Sequence, residues 1–416
     1  MAQLPTPRPA DGVRRSSKMV SGAAMRGPPL MPSTLLDQLD TFGPDRCQAL
    51  TYEQASDYTR RLAQSHYENF TVVSWFLPRR LRDDFRHVYS FCRWADDLGD
   101  ETGDPQRSLE LLAWWRREVD LCYAGKPRHP VFVALHQTIH RHDIPRKPFD
   151  DLIDAFVQDQ TVTRYRTWEQ VLDYCTRSAD PVGRLVLYLA GVRDEERQKL
   201  SDATCTALQL ANFWQDVRRD VLERDRVYLP SQIASHHGLD IETMVDAIRG
   251  SEGLGERTRG QGDPATSGNA NPQSAIRDPK SACSTSCACH AVPSAAIHAI
   301  LPAYRRTVRD LCERTWPLFE KGRLLWPKVP RDVRLDIQLF SLGGESILKL
   351  IRGRNYDTLQ SRPKLGKAAK IALMLRALAG KFLGIGVPRG EAGADDAASS
   401  GAAAASSPSR QAEAKA

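Results

Sequence analysis

Nowhere in the chain does an uninterrupted apolar run approach the ~18 residues that a bilayer-crossing helix needs. The longest convincing run, Leu185 to Val192, is closed by Arg184 and Arg193 and reads as a buried helix segment. There is no Gly-rich dinucleotide loop, no internal repeat of solenoid length and little that demands a sheet. Basic residues are not gathered into arms with interleaved aromatics, so the net charge of +7 argues against nucleic acid and suits anionic substrates or an anionic membrane surface. The nine cysteines are odd in number and unevenly spaced. Cys92, Cys122, Cys175, Cys205 and Cys312 lie in apolar helical context, which reads as reduced thiols in a cytoplasmic protein rather than a disulfide framework.

Composition divides what is present. Residues 1–45 are rich in Pro, Gly, Arg and Ser without the apolar stretch of a secretory signal; a disordered extension is expected, with Met19, Met25 or Met31 as alternative starts. Residues 46–250 and 297–387 are expected to form one helical domain. Between them, 251–296 reads as a low-complexity insert, and 388–416 as a disordered Ala/Ser/Gly tail. Inside the insert, Cys283, Cys287, Cys289 and His290 are ligand types suited to zinc, but the paired CxxC spacing is missing, and adventitious thiols are the plainer reading.

Apolar periodicity from Tyr52 onward is helical. Phe85, Val88, Tyr89, Cys92 and Ala95 make one stripe, and further helices fit Ser108–Tyr123, Val131–His142, Pro148–Asp159 and Trp168–Arg177. A break is expected at Asp180-Pro181-Val182-Gly183, then helices over Leu185–Leu189, Ala203–Arg219, Ile297–Trp316 and Val333–Arg352. The fold class is therefore all-α. On a helical wheel Lys364, Lys367, Lys370 and Lys381 share a sector of ~120°. They read either as the solvated face of a packed terminal helix or as an interfacial helix drawn to anionic lipid.

Asn212, Asp216 and Asp220 recur every fourth residue, which puts an amide and two carboxylates on one helix face. A solvated acidic face is the bland alternative. A second i,i+4 pair, Asp96 and Asp100, follows another apolar helical stretch. Two such helices facing each other would line a central cavity able to hold magnesium ions, which are usually held by a few carboxylates plus substrate phosphates.

These paired aspartates, with Asn212 before the second pair and RVYLP after it, resemble the squalene/phytoene synthase family of head-to-head prenyl synthases over about 60–250 and 297–380. HYENF at His66–Phe70, FLPRRLR at Phe76–Arg82, WADDLGDE at Trp94–Glu101, YCTRSADPVGRLVLYLAG at Tyr174–Gly191 and NYDTLQSRPKL at Asn355–Leu365 are most similar to its hopanoid-cluster, HpnC-type hydroxysqualene synthase branch. The resemblance implies a single-domain isoprenoid-synthase helical bundle with a cavity between two aspartate-rich helices. It implies that Asp96, Asp100, Asn212, Asp216 and Asp220 hold Mg2+, with Mn2+ as the alternative ion, and that Arg93 and Arg226 meet the substrate diphosphate. Tyr89 would stand near the reacting carbons, while Phe91, Trp94 and Phe213 read as core.

Departures from the wider family bear on the reaction. Arg177 stands where squalene and phytoene synthases commonly carry a tyrosine assigned to the first condensation, and Gln215 where squalene synthases commonly carry an arginine. Asp180 occupies a position where asparagine is expected. The resemblance then implies conversion of presqualene diphosphate to hydroxysqualene without NADPH. A presqualene diphosphate synthase paralogue would act before it and a flavin-dependent dehydroxylase after it, with peripheral contact on the inner face of the membrane and no nucleic acid. Direct synthesis of squalene or phytoene, and a non-catalytic assembly factor with the same fold, are the competing readings.

Overall fold

The structure, a computed structural model, describes residues 36–44, 46, 50–65, 77–259 and 295–366. The HYENF motif, Phe76, the Cys283–His290 group, Lys367, Lys370 and Lys381, the extension before 36 and the tail lie outside the described residues. The helices are α1 (Leu39–Phe42), α2 (Tyr52–Ser65), α3 (Arg82–Asp100), α4 (Pro105–Tyr123), α5 (Pro130–His142), α6 (Lys147–Gln158), α7 (Trp168–Ser178), α8 (Asp180–Leu189), α9 (Glu195–Arg224), α10 (Ser231–His236), α11 (Ile241–Arg259), α12 (Ala295–Arg323) and α13 (Arg331–Gly353). Among the described residues the β-type pairing is a single bridge, Arg164 with Val227, so the chain is all-α.

Local chemistry starts and stops these helices. Asp104 caps α4 through the amide of Gln106 at 3.0 Å, ahead of Pro105. Thr167 and Gln170 close a reciprocal capping box on α7. Asp194 caps the 30-residue α9, and Asp225 ends it in the left-handed region at φ 51°. Arg164 and Arg249 each reach the Asp225 carboxylate at 2.7 Å, fixing that reversal.

Several boundaries differ from the sequence expectation; α12, for one, runs past Trp316 to Arg323. The break before α8 falls at Ala179, and Asp180-Pro181 opens the helix, because proline is tolerated in a first turn whose amides lack intrahelical partners. Helix α9 begins at Glu195, ahead of Ala203, since Asp194 supplies a cap. Helix α11 runs to Arg259, so the first residues assigned to the insert by composition are helical.

Two buried clusters make the core. One gathers the apolar faces of α2 to α6 and α8, with Phe91, Trp94, Trp115 and Phe132 at its centre. The other gathers α7, α9, α11, α12 and α13 around Trp214, Tyr304, Val308 and Phe319. The helix carrying Asp96 and Asp100 belongs to the first and the helix carrying Asp216 and Asp220 to the second. The seam between the clusters is therefore where the two aspartate-bearing helices meet.

Close helix approach to α9 depends on small residues. A methyl at Gly183 of α8 would run into Ser201 and Cys205 of α9. One at Gly322 of α12 would meet the Thr204 side chain, with the Thr204 Cα only 3.2 Å away. The described cysteines are all free thiols, and no described helix is long and apolar enough to cross a membrane.

Candidate active site

A cavity of about 280 Å³ opens at this seam, bounded by α3, α6, α7, α9 and the extended segment after α9. Asp96 and Asp100 reach it from α3, Asn212 and Asp220 from α9, and Arg226 from the segment beyond. The left-handed Asp225 turns the chain back so that the Arg226 amide bonds to the Asp220 carbonyl at 3.0 Å, and pairing of Val227 with Thr163 holds the return. The Arg226 side chain is thereby brought to α3: its Nη2 donates to Asp100 Oδ1 at 2.9 Å, while Arg224 Nε donates to Asp100 Oδ2 at 2.9 Å.

Three of the sequence-predicted residues, Asp216, Tyr89 and Arg93, do not line this cavity. Asp216 is buried and faces Arg362, whose Nη2 donates to Oδ2 at 2.7 Å and whose Nε donates to Oδ1. Together with Gln215, whose amide donates to the Pro363 carbonyl, it lines a neighbouring recess of about 230 Å³. Tyr89 is half-buried on α3 and does not line the 280 Å³ cavity, and burial pushes its hydroxyl pKa upward. Arg93, expected at a diphosphate, is held by its own helix: it pairs with Asp97 and lies 3.4 Å from Asp96 Oδ2. Arg177 binds Asp173 Oδ2 at 2.6 Å and Gln158 at 2.8 Å.

Sequence reasoning missed four contributors. Arg224 shares Asp100 with Arg226, and Arg362 grips Asp216 from within a motif quoted only for its resemblance. Asp159, just past α6, is buried in the cavity wall, and its Oδ2 accepts from the Tyr174 hydroxyl at 2.7 Å and lies 3.6 Å from Arg226 Nη1. The signal for Asp159 was an acid ending an apolar helix face. Phe213 belongs to the core as expected but also lines the cavity, stacked on Tyr228 with ring centroids 3.7 Å apart.

The electrostatics are those of crowded carboxylates. Desolvation, then the charge of Asp100, pushes the Asp96 carboxyl upward. Desolvation, then Asp216, raises Asp220 to about 7, and desolvation raises Asp159 to about 7 against the lowering effect of Arg226. Among the described residues no three His, Cys, Asp or Glu side chains converge closely enough to hold an ion unaided. The donor chemistry still fits a hard divalent cation, because Asp96, Asp220 and Asn212 bring carboxylate and amide oxygens to one cavity. Such an ion would complete its shell with water and substrate oxygen.

Comparison with known proteins agrees with this geometry. A family model described as squalene/phytoene synthase matches residues 63–298. A hydroxysqualene synthase of Rhodopseudomonas palustris is 37% identical over 178 residues, covering 42% of this chain and 60% of that protein. Another, from Sinorhizobium fredii, is 37% identical over 183 residues, covering 44% and 61%. The matched region thus spans about three-fifths of these relatives' own length. Among solved structures, the squalene synthase HpnC from Alicyclobacillus acidocaldarius shares 37% identity with a TM-score of 0.57, covering 74% of this chain and 96% of that one.

Proposed function

The chain belongs to the squalene/phytoene synthase family, and from that premise we propose that it is a magnesium-dependent synthase converting presqualene diphosphate to hydroxysqualene. The observation that carries this reading is the meeting of Asp96 and Asp100 with Asp220 and Asn212 in one cavity that also holds Arg224 and Arg226. Carboxylates alone would repel a diphosphate and guanidinium groups alone would not hold a cation; together they suit a metal diphosphate. The relatives named hydroxysqualene synthase favour a water-trapped product over a reduced one.

Asp96, Asp100, Asn212 and Asp220 would hold the ion, with Asp216 joining them if Arg362 turns to the substrate. When bound, the cation supplies neutralising charge for the departing diphosphate. The protein's own groups do the rest. Arg226 and Arg224 carry planar, forked donors already aimed across the cavity, and they can pass from Asp100 to phosphate oxygens without crossing the fold. Heterolysis of the carbon–oxygen bond leaves a cyclopropylcarbinyl cation. The stacked rings of Phe213 and Tyr228 present an apolar, electron-rich wall to it. Burial pushes the Tyr228 hydroxyl well above its ordinary value, so the ring stays a neutral phenol.

No nicotinamide enters this reaction, since water supplies the oxygen and no carbon is reduced. The substrate would come from an enzyme condensing two farnesyl diphosphates, and the alcohol would pass to a flavin-dependent dehydroxylase. The solved relative is named a squalene synthase, and reductive release of squalene is the second reading. The test is diphosphate release from presqualene diphosphate with Mg2+, followed by a coupled phosphatase assay. Release by the wild type and its loss by at least ~100-fold in Asp220→Asn supports the reading; equal release by both, or none by either, contradicts it.

A further inference from the structure

Asp159 is 6% exposed, and its two carboxylate oxygens differ. Oδ2 accepts the Tyr174 hydroxyl at 2.7 Å and faces Arg226 at 3.6 Å, a separation at which the pair attracts without a direct hydrogen bond. Oδ1 is buried and has no hydrogen-bond partner. Buried carboxylate oxygens are usually satisfied; Glu118 Oε2 is another without a hydrogen-bond partner, but of these two residues it is Asp159 that lines the cavity. Arg226 does not explain it, because that guanidinium already donates to Asp100 at 2.9 Å.

The surroundings match a quenching site. The Tyr174 ring lies 5.6 Å from Tyr228 and 6.1 Å from Phe213, so the tyrosine that orients Asp159 belongs to the same aromatic wall that faces the carbocation. Carboxylate and rings therefore border one space, with Arg226 marking the side where diphosphate sits.

We propose that Asp159 is the catalytic base for the hydration step, taking the proton of the water that captures the carbocation. This rests on the reading of the chain as a hydroxysqualene synthase. The water oxygen forms the new carbon–oxygen bond with a lone pair. One of its O–H bonds breaks, the bonding electrons stay on the product hydroxyl, and the proton passes to Asp159 Oδ1. Diphosphate has already left with the electrons of the cleaved bond, so no oxidant or reductant takes part. Tyr174 is a positioning residue: its hydrogen bond occupies Oδ2 and leaves Oδ1 as the oxygen without a hydrogen-bond partner.

The experiment separates ionisation from capture. Wild type and Asp159→Asn are incubated with presqualene diphosphate and Mg2+, diphosphate release is measured, and C30 alcohol and C30 hydrocarbon are quantified by mass spectrometry. A lost general base is expected to lower the alcohol share of products at least ~10-fold while diphosphate release falls much less. An unchanged alcohol share, however slow the variant, overturns the assignment. Asp159→Ala with added formate gives a second readout: restoration of the alcohol share by formate supports the role, and folded variant without restoration opposes it. A wild type that releases diphosphate but forms no alcohol refutes the hydroxysqualene reading itself, which is a different outcome from an alcohol-forming wild type whose product ratio ignores residue 159.

Discussion

Arg226 Nη2 lies 2.9 Å from Asp100 Oδ1, tying the segment that follows one aspartate helix to the last turn of the other. Both side chains are 9% exposed, and Arg224 holds the second oxygen of the same carboxylate. Asp100 is thus a joint between the two halves of the core as well as a cavity acid.

Removing that joint should cost stability and activity together. Asp100→Ala leaves the buried guanidinium of Arg226 without its hydrogen-bonded carboxylate, with only Asp159 facing it at 3.6 Å; breaking a buried pair typically destabilises by up to about 3–5 kcal/mol. Thermal unfolding of the metal-free protein should show the loss before any assay is run. An unchanged melting temperature would mean that the pair contributes nothing to the seam.

Asp180 sets a pH dependence. Burial, then Asp202, pushes its carboxyl up to about 7, while Thr206 donates to it at 2.8 Å. A carboxyl raised in the folded state holds its proton more tightly there than in the unfolded chain. Its contribution is complete below the ordinary value of 3.8 and is lost as pH rises through about 7. Asp180→Asn removes the buried charge, keeps an acceptor for Thr206, and should stabilise at pH 8 by about 1–3 kcal/mol. The gain should fade on titration to pH 5. Calorimetry at both pH values checks this, and a variant no more stable than wild type at pH 8 refutes it.

Much of this arrangement was legible in the sequence, and the limits have physical causes. Both aspartate pairs follow amphipathic stripes, so their helices and their inward faces could be read from periodicity alone. Asp96, Asp100, Asn212 and Asp220 do meet across one cavity. What spacing cannot give is the partner that arrives from far along the chain. Arg362 lies 146 residues from the Asp216 it grips, and Arg224 lies 124 from Asp100. Asp159 was hidden for another reason: a single acid at a helix end looks like a solvated terminus until burial is known. The Asp180-Pro181 break was misplaced because proline stops a helix from within but is at home in its first turn.

Packing of α12 on α9 makes a sharp comparison of two glycines. Gly322→Ala forces a methyl against Thr204 and should destabilise by about 1–3 kcal/mol. Gly343→Ala, on α13, meets nothing within 4 Å and should be neutral or slightly stabilising, since alanine is the better helix former. Denaturant unfolding of the two variants measures the difference; equal midpoints would contradict the close approach.

Cation binding can be followed without turnover. Mg2+ with inorganic diphosphate at about 100 times the dissociation constant should stabilise the wild type by about 2.7 kcal/mol. The shift in melting temperature should be absent or much reduced in Asp96→Asn and Asp220→Asn. A full shift in both variants would place the ion elsewhere.

The most direct measurement is the identity of the product. Purified protein is given presqualene diphosphate and Mg2+ in the absence of any nicotinamide, and the extract is read by mass spectrometry against authentic standards. A C30 alcohol whose oxygen carries the label of 18O water is the expected result. Unreacted presqualene diphosphate, or squalene formed only when NADPH is added, would contradict the account.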